Sequence, residues 1–337
     1  MKQVGYSTIG NPTDVVSVMD IEEPDPPGPG EALVAVDAAP INPADLLAMQ
    51  GRYGRKSPKL PAIGGAEGVG HVLSIGDGVT NVSVGERVSL LLGPEPCWTE
   101  RIVATARLLV PLPGDADPLQ LAMAGGNPMT AWALLHGLRD LEPSDWDIQN
   151  AGNSAVAQCV AQLARIAGIN VISVVRRPEA LDDLVRTPEA NGLLDGNDLA
   201  QRVAAVTGGS MPVMGYDAVG GAATGRLSST LVDGGSLIVY GLLSGDDCCV
   251  PPRDLVFRDV RLQGFWLATW LRRQQPSYIH EQFNALIEKI RSGELDIPVE
   301  ATYPLSHARE AVAHAMSSRR GKVLFCPNHH ATPRSDS

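Results

Sequence analysis

From Trp146 onward the chain alternates strand-like and helix-like segments joined by short turns, and that alternation restricts its fold more than any other feature. A strand-like "WDIQNA" leads into a helix-like "SAVAQCVAQLARIAG", followed by "NVISVV", "PEALDDLVR", "VMGYDAVGG", "TGRLSSTLVDGG", "SLIVYGLLS" and "VRLQGFWL". Such a series builds a parallel sheet, because each crossover helix carries the chain back to start the next strand in the same direction. The N-terminal part has another texture. Residues 1 to about 118 are rich in Pro and Gly, with short alternating or β-branched runs such as "EALVAVDAAPI", "EGVGHVLSIG" and "RIVATARLLVPLP", which read as a loop-rich antiparallel unit. Near residue 119 the spacing turns helical, in "LQLAMAGGNPMTAWALLHGL". The expected division is 1–118, 119–270 and a C-terminal segment 271–337 that holds an amphipathic helix and a final strand "KVLFC". At 337 residues the chain is long enough for two hydrophobic cores.

Charge excludes some partners. A net charge of -11 repels phosphodiester backbones and anionic lipid, and no local run of Lys and Arg reverses it. No stretch of about 18 uncharged apolar residues exists, so a cytoplasmic location is expected. The five cysteines are scattered, odd in number and include an adjacent pair, which fits reduced thiols rather than a disulfide framework.

The turn "NAGNSAVAQ" follows a strand and opens a helix, the setting in which backbone N–H groups and the positive helix end receive a dinucleotide pyrophosphate. The arrangement is Rossmann-type, although Ala155 and Ala157 stand where a strict GxGxxG has glycine. The plainer alternative is a βα turn with no nucleotide. At the end of the next strand, where an NAD enzyme carries an acidic residue for the ribose 2′-OH, this chain has Arg176 and Arg177. Two cations there favour a 2′-phosphate, hence NADPH over NADH; the alternative is a solvated arginine pair.

No CxxC occurs, Glu67 in "GGAEGVG" has no adjacent His, and His329 and His330 sit in the tail, so no metal is expected. Tyr53, in "MQGRYGRKSPKLP", could donate a proton or bind a developing enolate with Arg52 and Arg55 nearby; on composition alone it is a loop packing residue.

Taken in order, "INPADLLAMQGRYG", "PAIGGAEGVGHV", "GGNPMTAWALL", "IQNAGNSAVAQCVAQLAR", "INVISVVRRPE", "YDAVGG", "LIVYGLLS", "FRDVRLQGFWLATW" and "RRGKVLF" resemble the medium-chain dehydrogenase/reductase superfamily. The Tyr loop and "GFWLATW" are similar to its zinc-free 2-enoyl thioester reductase branch. The resemblance implies an α/β fold, with a GroES-like β-rich catalytic domain beside a Rossmann-type cofactor domain, and a homodimer. It implies Tyr53 as proton donor and Trp266 at the cofactor and substrate cleft. NADPH contacts are implied at Asn127, Asn153, Ser154, Ala155, Val156, Arg176, Arg177, Tyr240, Gly241, Leu242, Leu243, Phe265, Trp266, Leu267 and Lys322. Two departures touch this set: relatives have "NSGVG" where this chain has "NSAVA", and "RRPE" shifts the second cation by one place. A third is "RTPEANGLLDGNDLA", where relatives show a clearer strand.

The implied activity is NADPH-dependent reduction of a 2-enoyl thioester, small or carrier-bound. A zinc-free quinone or enone reductase and a catalytically impaired NADPH-binding protein are the alternatives. In "LQGFWLATW", strand alternation would send Phe265 and Trp266 to opposite faces, one to pack and one to line the site, with Trp270 unassigned.

Overall fold

The computed structural model describes residues 1–54, 59–90, 95–185 and 191–328. The chain divides into two units, Met1–Gly126 with Ile287–Ser337, and Asn127–Leu286. Along the described residues the early strands are β1 (Lys2–Tyr6), β2 (Val16–Asp20), β3 (Glu31–Pro40), β4 (Ala62–Ile63), β5 (Val69–Ile75), β6 (Arg87–Ser89), β7 (Arg101–Thr105) and β8 (Val110–Pro111). Six strands of the second unit follow: β9 (Trp146–Gln149), β10 (Asn170–Val175), β11 (Asn191–Leu194), β12 (Met214–Asp217), β13 (Ser236–Val239) and β14 (Arg261–Gly264). The last two, β15 (Val299–Tyr303) and β16 (Lys322–Phe325), belong to the first unit.

In the first unit, ten-residue β3 is the organising strand, pairing antiparallel with β5, β7 and β16. Its apolar run is buried with Val4, Trp98, Phe325 and Val323 in one core. Trp98 is fully buried; its indole N–H donates to the Pro40 carbonyl at 3.2 Å and its ring meets Phe325 edge-on at 5.1 Å. This ring explains the glycine pair of "PAIGGAEGVG". A Cβ on Gly64 would stand 2.2 Å from Trp98 Cε3, and Gly65 takes φ +94°, so neither position accepts a side chain. The tight passage delivers the chain to Glu67.

The second unit has the expected parallel sheet. Its order is β11-β10-β9-β12-β13-β14, every neighbouring pair parallel, with the order reversing at β9. Ile148, Ile172, Val174, Leu199, Val203, Leu227 and Leu237 fill a core among strands and helices. The strand that "RTPEANGLLDGNDLA" left weak does form: β11 pairs with β10 from Asn191 to Leu194, held at its end by Arg202 Nη1 on the Leu194 carbonyl at 2.6 Å. Arg186–Ala190 of that stretch lie outside the described residues.

One core group sets a pH dependence. Asp147 of β9 is fully buried; it accepts from the Tyr216 hydroxyl at 2.6 Å, while Oδ1 has no partner among the described residues. Burial pushes its carboxyl up to about 7. Because the folded-state value exceeds the unfolded one, its contribution is greatest below the unfolded value and is lost as pH rises to about 7. Asp147→Asn is therefore expected to gain about 1–3 kcal/mol over the unsubstituted protein on going from acid to mildly alkaline pH. Urea melts of both proteins across that range check it; parallel curves would contradict it.

Candidate active site

The second unit carries the candidate cofactor face. After β9 the chain turns through Asn150–Ser154 into the helix Ala155–Ala167. Ser154 caps that helix, its Oγ accepting from Ala157 N at 3.3 Å, and Gly168 closes it at φ +74°. Gly152 is required by packing, since a Cβ there would lie 2.8 Å from Ser173 Cβ on β10. Ala157 is fully buried, and its carbonyl accepts from Gln149 Nε2 at 2.8 Å, so this replacement serves the helix–sheet contact. Ala155 and Val156 open the first helical turn and are partly exposed, as is Asn153. Their amides form the positive end of a 13-residue helix.

The neighbouring strand ends supply the rest of this face. Arg176 and Arg177 follow β10, both exposed, and no ion pair among the described residues uses either one. Tyr240 and Gly241 follow β13 and both donate their backbone N–H to the Asp217 carbonyl, at 2.9 and 3.3 Å. A Cβ on Gly241 would meet the Ala218 carbonyl at 2.5 Å. Leu242 and Leu243 then emerge at 51% and 55% exposure, an unusual amount of bare leucine at the carboxyl ends of a parallel sheet.

Asp217 holds these ends together. Fully buried at the end of β12, it accepts from Asn150 Nδ2 and Thr224 Oγ1, both at 2.6 Å, and from the N–H groups of Val219 and Gly220. Asn150 Oδ1 in turn accepts from Ala218 N at 2.8 Å. Sequence reading missed both residues. The signal was present as an Asp at a strand end just before "AVGG".

Five buried side-chain polar atoms of this unit have no partner among the described residues, and two of them fall at positions the resemblance implies for NADPH. Asn127 Nδ2, at the start of the helix Asn127–His136, has no partner among the described residues. The Tyr240 hydroxyl lies beside Ser154, likewise without a partner of good geometry, and burial raises its pKa. Unpaired buried groups are costly, and both of these are donors, the kind of group a dinucleotide rich in acceptors would satisfy. Capped helix, free cations and orphaned donors together fit NADPH.

The aromatic segment differs from expectation. β14 stops at Gly264, and Trp266 is the N-cap of a short helix Leu267–Leu271, so strand alternation does not govern Phe265 and Trp266. Phe265 is buried and faces Trp270 at 6.5 Å; Trp270 packs with Trp132 and Tyr278 at 6.0 and 6.4 Å. Trp270 is thus core. Trp266 and Leu267 are partly exposed, with the Arg272 guanidinium 5.6 Å from the Trp266 ring centroid.

In the first unit, Tyr53 follows the helix Pro43–Met49 on a bend and is 37% exposed; Arg52 precedes it and Arg55 lies outside the described residues. Lys322, at the start of β16, is only 4% exposed. Its Nζ donates to the Ile41 carbonyl at 3.3 Å and to Asn42 Oδ1. Asn42 and Asp45 form the capping box of the helix leading to Tyr53. Sequence reading passed over that "N-x-x-D". Among the described residues no cluster of three or more His, Cys, Asp or Glu could hold a metal ion, and no helix is long and apolar enough to cross a membrane.

A β-rich unit and a six-stranded parallel unit with a dinucleotide turn define a class of oxidoreductase, and comparison with known proteins agrees. The alcohol dehydrogenase GroES-like domain family matches residues 28–114, and the zinc-binding dehydrogenase family matches residues 155–290. The chain belongs to the medium-chain dehydrogenase/reductase superfamily. Within it, the mitochondrial enoyl-[acyl-carrier-protein] reductase of Rattus norvegicus is 32% identical over 316 residues, covering 92% of this chain and 84% of that protein. The Caenorhabditis elegans protein of the same name is 34% identical over 328 residues, covering 96% and 94%. The chain therefore belongs to the enoyl reductase branch. Among solved structures, an NADPH:quinone reductase from Bacillus thuringiensis superposes with TM-score 0.87 at 30% identity, covering 96% of this chain and 98% of that one. The mitochondrial 2-enoyl thioester reductase heterodimer of Candida tropicalis gives TM-score 0.84 at 23% identity, covering 96% and 99%, a likeness of fold.

Proposed function

We propose that this protein reduces the C=C bond of a 2-enoyl thioester with NADPH. The observation that carries the reading is the identity to enoyl-[acyl-carrier-protein] reductases over nearly the whole chain. NADPH, when bound, would supply the hydride for the β-carbon of the substrate, and the α-carbon takes a proton. The helix Ala155–Ala167 receives the pyrophosphate, Arg176 and Arg177 the 2′-phosphate, and the Asn127 and Tyr240 donors the remaining acceptors. Leu242, Leu243, Phe265 and Leu267 give the dinucleotide an apolar border, and Trp266 faces the substrate. Lys322 is a further cofactor contact in this reading. Tyr53 gives the α-proton or holds the enolate oxygen as charge develops there.

The Bacillus thuringiensis likeness supports a second reading, a quinone or enone reductase. Side-by-side turnover of crotonyl-CoA and a small quinone separates the two; quinone-only turnover would sink the first. Tight NADPH binding with neither turnover would mark an impaired enzyme.

Cofactor choice follows from the cations. Arg176→Ala/Arg177→Ala is expected to raise the KM for NADPH about tenfold or more while leaving that for NADH within about twofold. Steady-state kinetics with both cofactors test it, and an equal effect on both would remove the arginines from the 2′-phosphate.

A homodimer and a cytoplasmic location complete the proposal. Supporting a dimer, β14 is an exposed edge strand, with Leu262 at 43%, and Val256 and Phe257 nearby stand at 71% and 83% exposure. Leu262→Asp is expected to yield monomers in sedimentation velocity; an unsubstituted protein that is itself monomeric would refute the dimer. Five free cysteines suit a reducing compartment. The relatives named above are mitochondrial, and fractionation of cells carrying the tagged protein distinguishes the two locations.

A further inference from the structure

The second unit carries an exposed pair of adjacent thiols. Cys248 and Cys249 end a strap that leaves β13 through Leu242 and Leu243, and every residue from Leu242 to Cys249 is exposed. The other cysteines, Cys97, Cys159 and Cys326, are buried. Thiol chemistry with solutes is therefore open to this pair and closed to the rest.

The strap is fastened at both ends. At its start, Leu243 N donates to the Ala218 carbonyl at 3.1 Å and Ser244 N to the Val219 carbonyl at 2.9 Å, with Ser244 Oγ donating to that same carbonyl at 2.7 Å. At its end, Cys249 N donates to the Gly221 carbonyl at 3.1 Å. The Cys249 carbonyl oxygen packs so close to the helix Gly221–Ser228 that a Cβ on Gly225 would stand 2.4 Å from it. Between these ends the strap crosses the turn Gly220–Gly221, which takes φ +80° and +61°. A Cβ on Gly220 would meet the Asp246 carbonyl oxygen at 3.1 Å and Ser244 Oγ at 3.3 Å. The turn itself hangs on Asp217, whose Oδ1 accepts from Val219 N and Gly220 N.

We propose that Cys248 and Cys249 are a redox site: a low-molecular-weight disulfide oxidises them to a disulfide between neighbours, and closing that bond shifts the strap on the Gly220–Gly221 turn.

The exchange balances. The thiolate of one cysteine attacks the small disulfide RSSR, giving a mixed disulfide and one RSH; the thiolate of the other then attacks the protein sulfur of that mixed disulfide and expels a second RSH. The protein's thiols give up two hydrogens and two electrons, and the small disulfide takes them. Neighbouring Cα atoms stand about 3.8 Å apart, short of the range of about 4.4–6.8 Å that relaxed disulfides span. The bond therefore closes only with distortion of the backbone around it and is readily reduced again, as a reversible device requires. Cys249 is held by its N–H and its packed carbonyl, so the distortion falls on Cys248 and the strap before it. Asp246 and Asp247 precede the pair and favour approach of a cationic disulfide over an anionic one.

Leu242 and Leu243 begin the strap, so oxidation is expected to reach NADPH affinity as well; that consequence rests on the cofactor reading above, and the test keeps the two apart. The reduced full chain is titrated with cystamine, a cationic disulfide, quenched in acid, alkylated and mapped by peptide mass. The peptide holding Cys248 and Cys249 is expected to become lighter by two hydrogens, carry no cysteamine and resist alkylation, while Cys248→Ser and Cys249→Ser each stop at a mixed disulfide. Amide hydrogen exchange across Leu242–Cys249 is expected to quicken about tenfold on oxidation and to recover with dithiothreitol. NADPH affinity, by fluorescence titration, is expected to fall about tenfold on oxidation and to be unmoved by cystamine in Cys248→Ser/Cys249→Ser. Mixed disulfides that persist in the unsubstituted protein overturn the redox site. An internal bond with unchanged exchange overturns the shift of the strap. Faster exchange with unchanged NADPH affinity upholds the redox site and removes Leu242 and Leu243 from the cofactor border.

Discussion

Turnover of a 2-enoyl thioester is expected to fall about 10²–10⁴-fold in Tyr53→Phe, the range spanned by loss of a positioned proton donor. NADPH affinity should stay within about twofold, because the residues proposed to hold the dinucleotide lie elsewhere in the chain. Unfolding should shift by less than about 0.5 kcal/mol, since the side chain is 37% exposed on a loop bend and the ring is retained. The measurement is kcat and KM for crotonyl-CoA, with NADPH binding measured separately. Unchanged kcat would remove Tyr53 from both of its proposed roles. A fall in NADPH affinity equal to the fall in kcat would make the phenol a binding group only.

Asp217→Ala is expected to cost about 3–5 kcal/mol of stability, the largest effect of any single replacement considered for the second unit. The carboxylate accepts four hydrogen bonds in a site with no solvent exposure, and alanine leaves the Thr224 hydroxyl, one Asn150 N–H and two backbone N–H groups unpaired there. Asp217→Asn should recover only part of the loss, because its amide nitrogen is a donor among donors. The same group ties the ends of β9 and β12, and Tyr240 and Gly241 hang on the Asp217 carbonyl, so NADPH affinity should weaken with stability. Urea unfolding and NADPH titration of both variants check this; a loss under about 1 kcal/mol in Asp217→Ala would contradict it.

Much of this is legible in the sequence. The alternation after Trp146 specified a parallel sheet because each period-two run was bounded by a helical run and a turn, a pattern few topologies accept. Ser154 before "AVAQCVAQLARIAG" marked a helix start by its hydroxyl, and Gly168 marked the end by the left-handed turn only glycine takes cheaply. β11 was harder to read, since a four-residue edge strand with Gly192 carries little propensity of its own. Pairing with β10 decided it.

In "LQGFWLATW" the letters announced aromatic packing without saying which ring packs. A backbone turn after Gly264, set by the end of pairing with β13, replaced alternation with a helical cap and sent Trp270 to Trp132 and Tyr278. Lys322 reads in sequence as a cation near a strand. Only the fold shows it almost wholly buried against Asn42, 280 residues away in the chain. The sequence by itself determined the order of elements, the dinucleotide turn and the arginine pair, because each is written in neighbouring residues. The tertiary structure alone decided the Asp217 hub, the Asn42–Lys322 contact and the sorting of the aromatic rings, because burial and hydrogen bonding between distant segments exist only once the chain has closed.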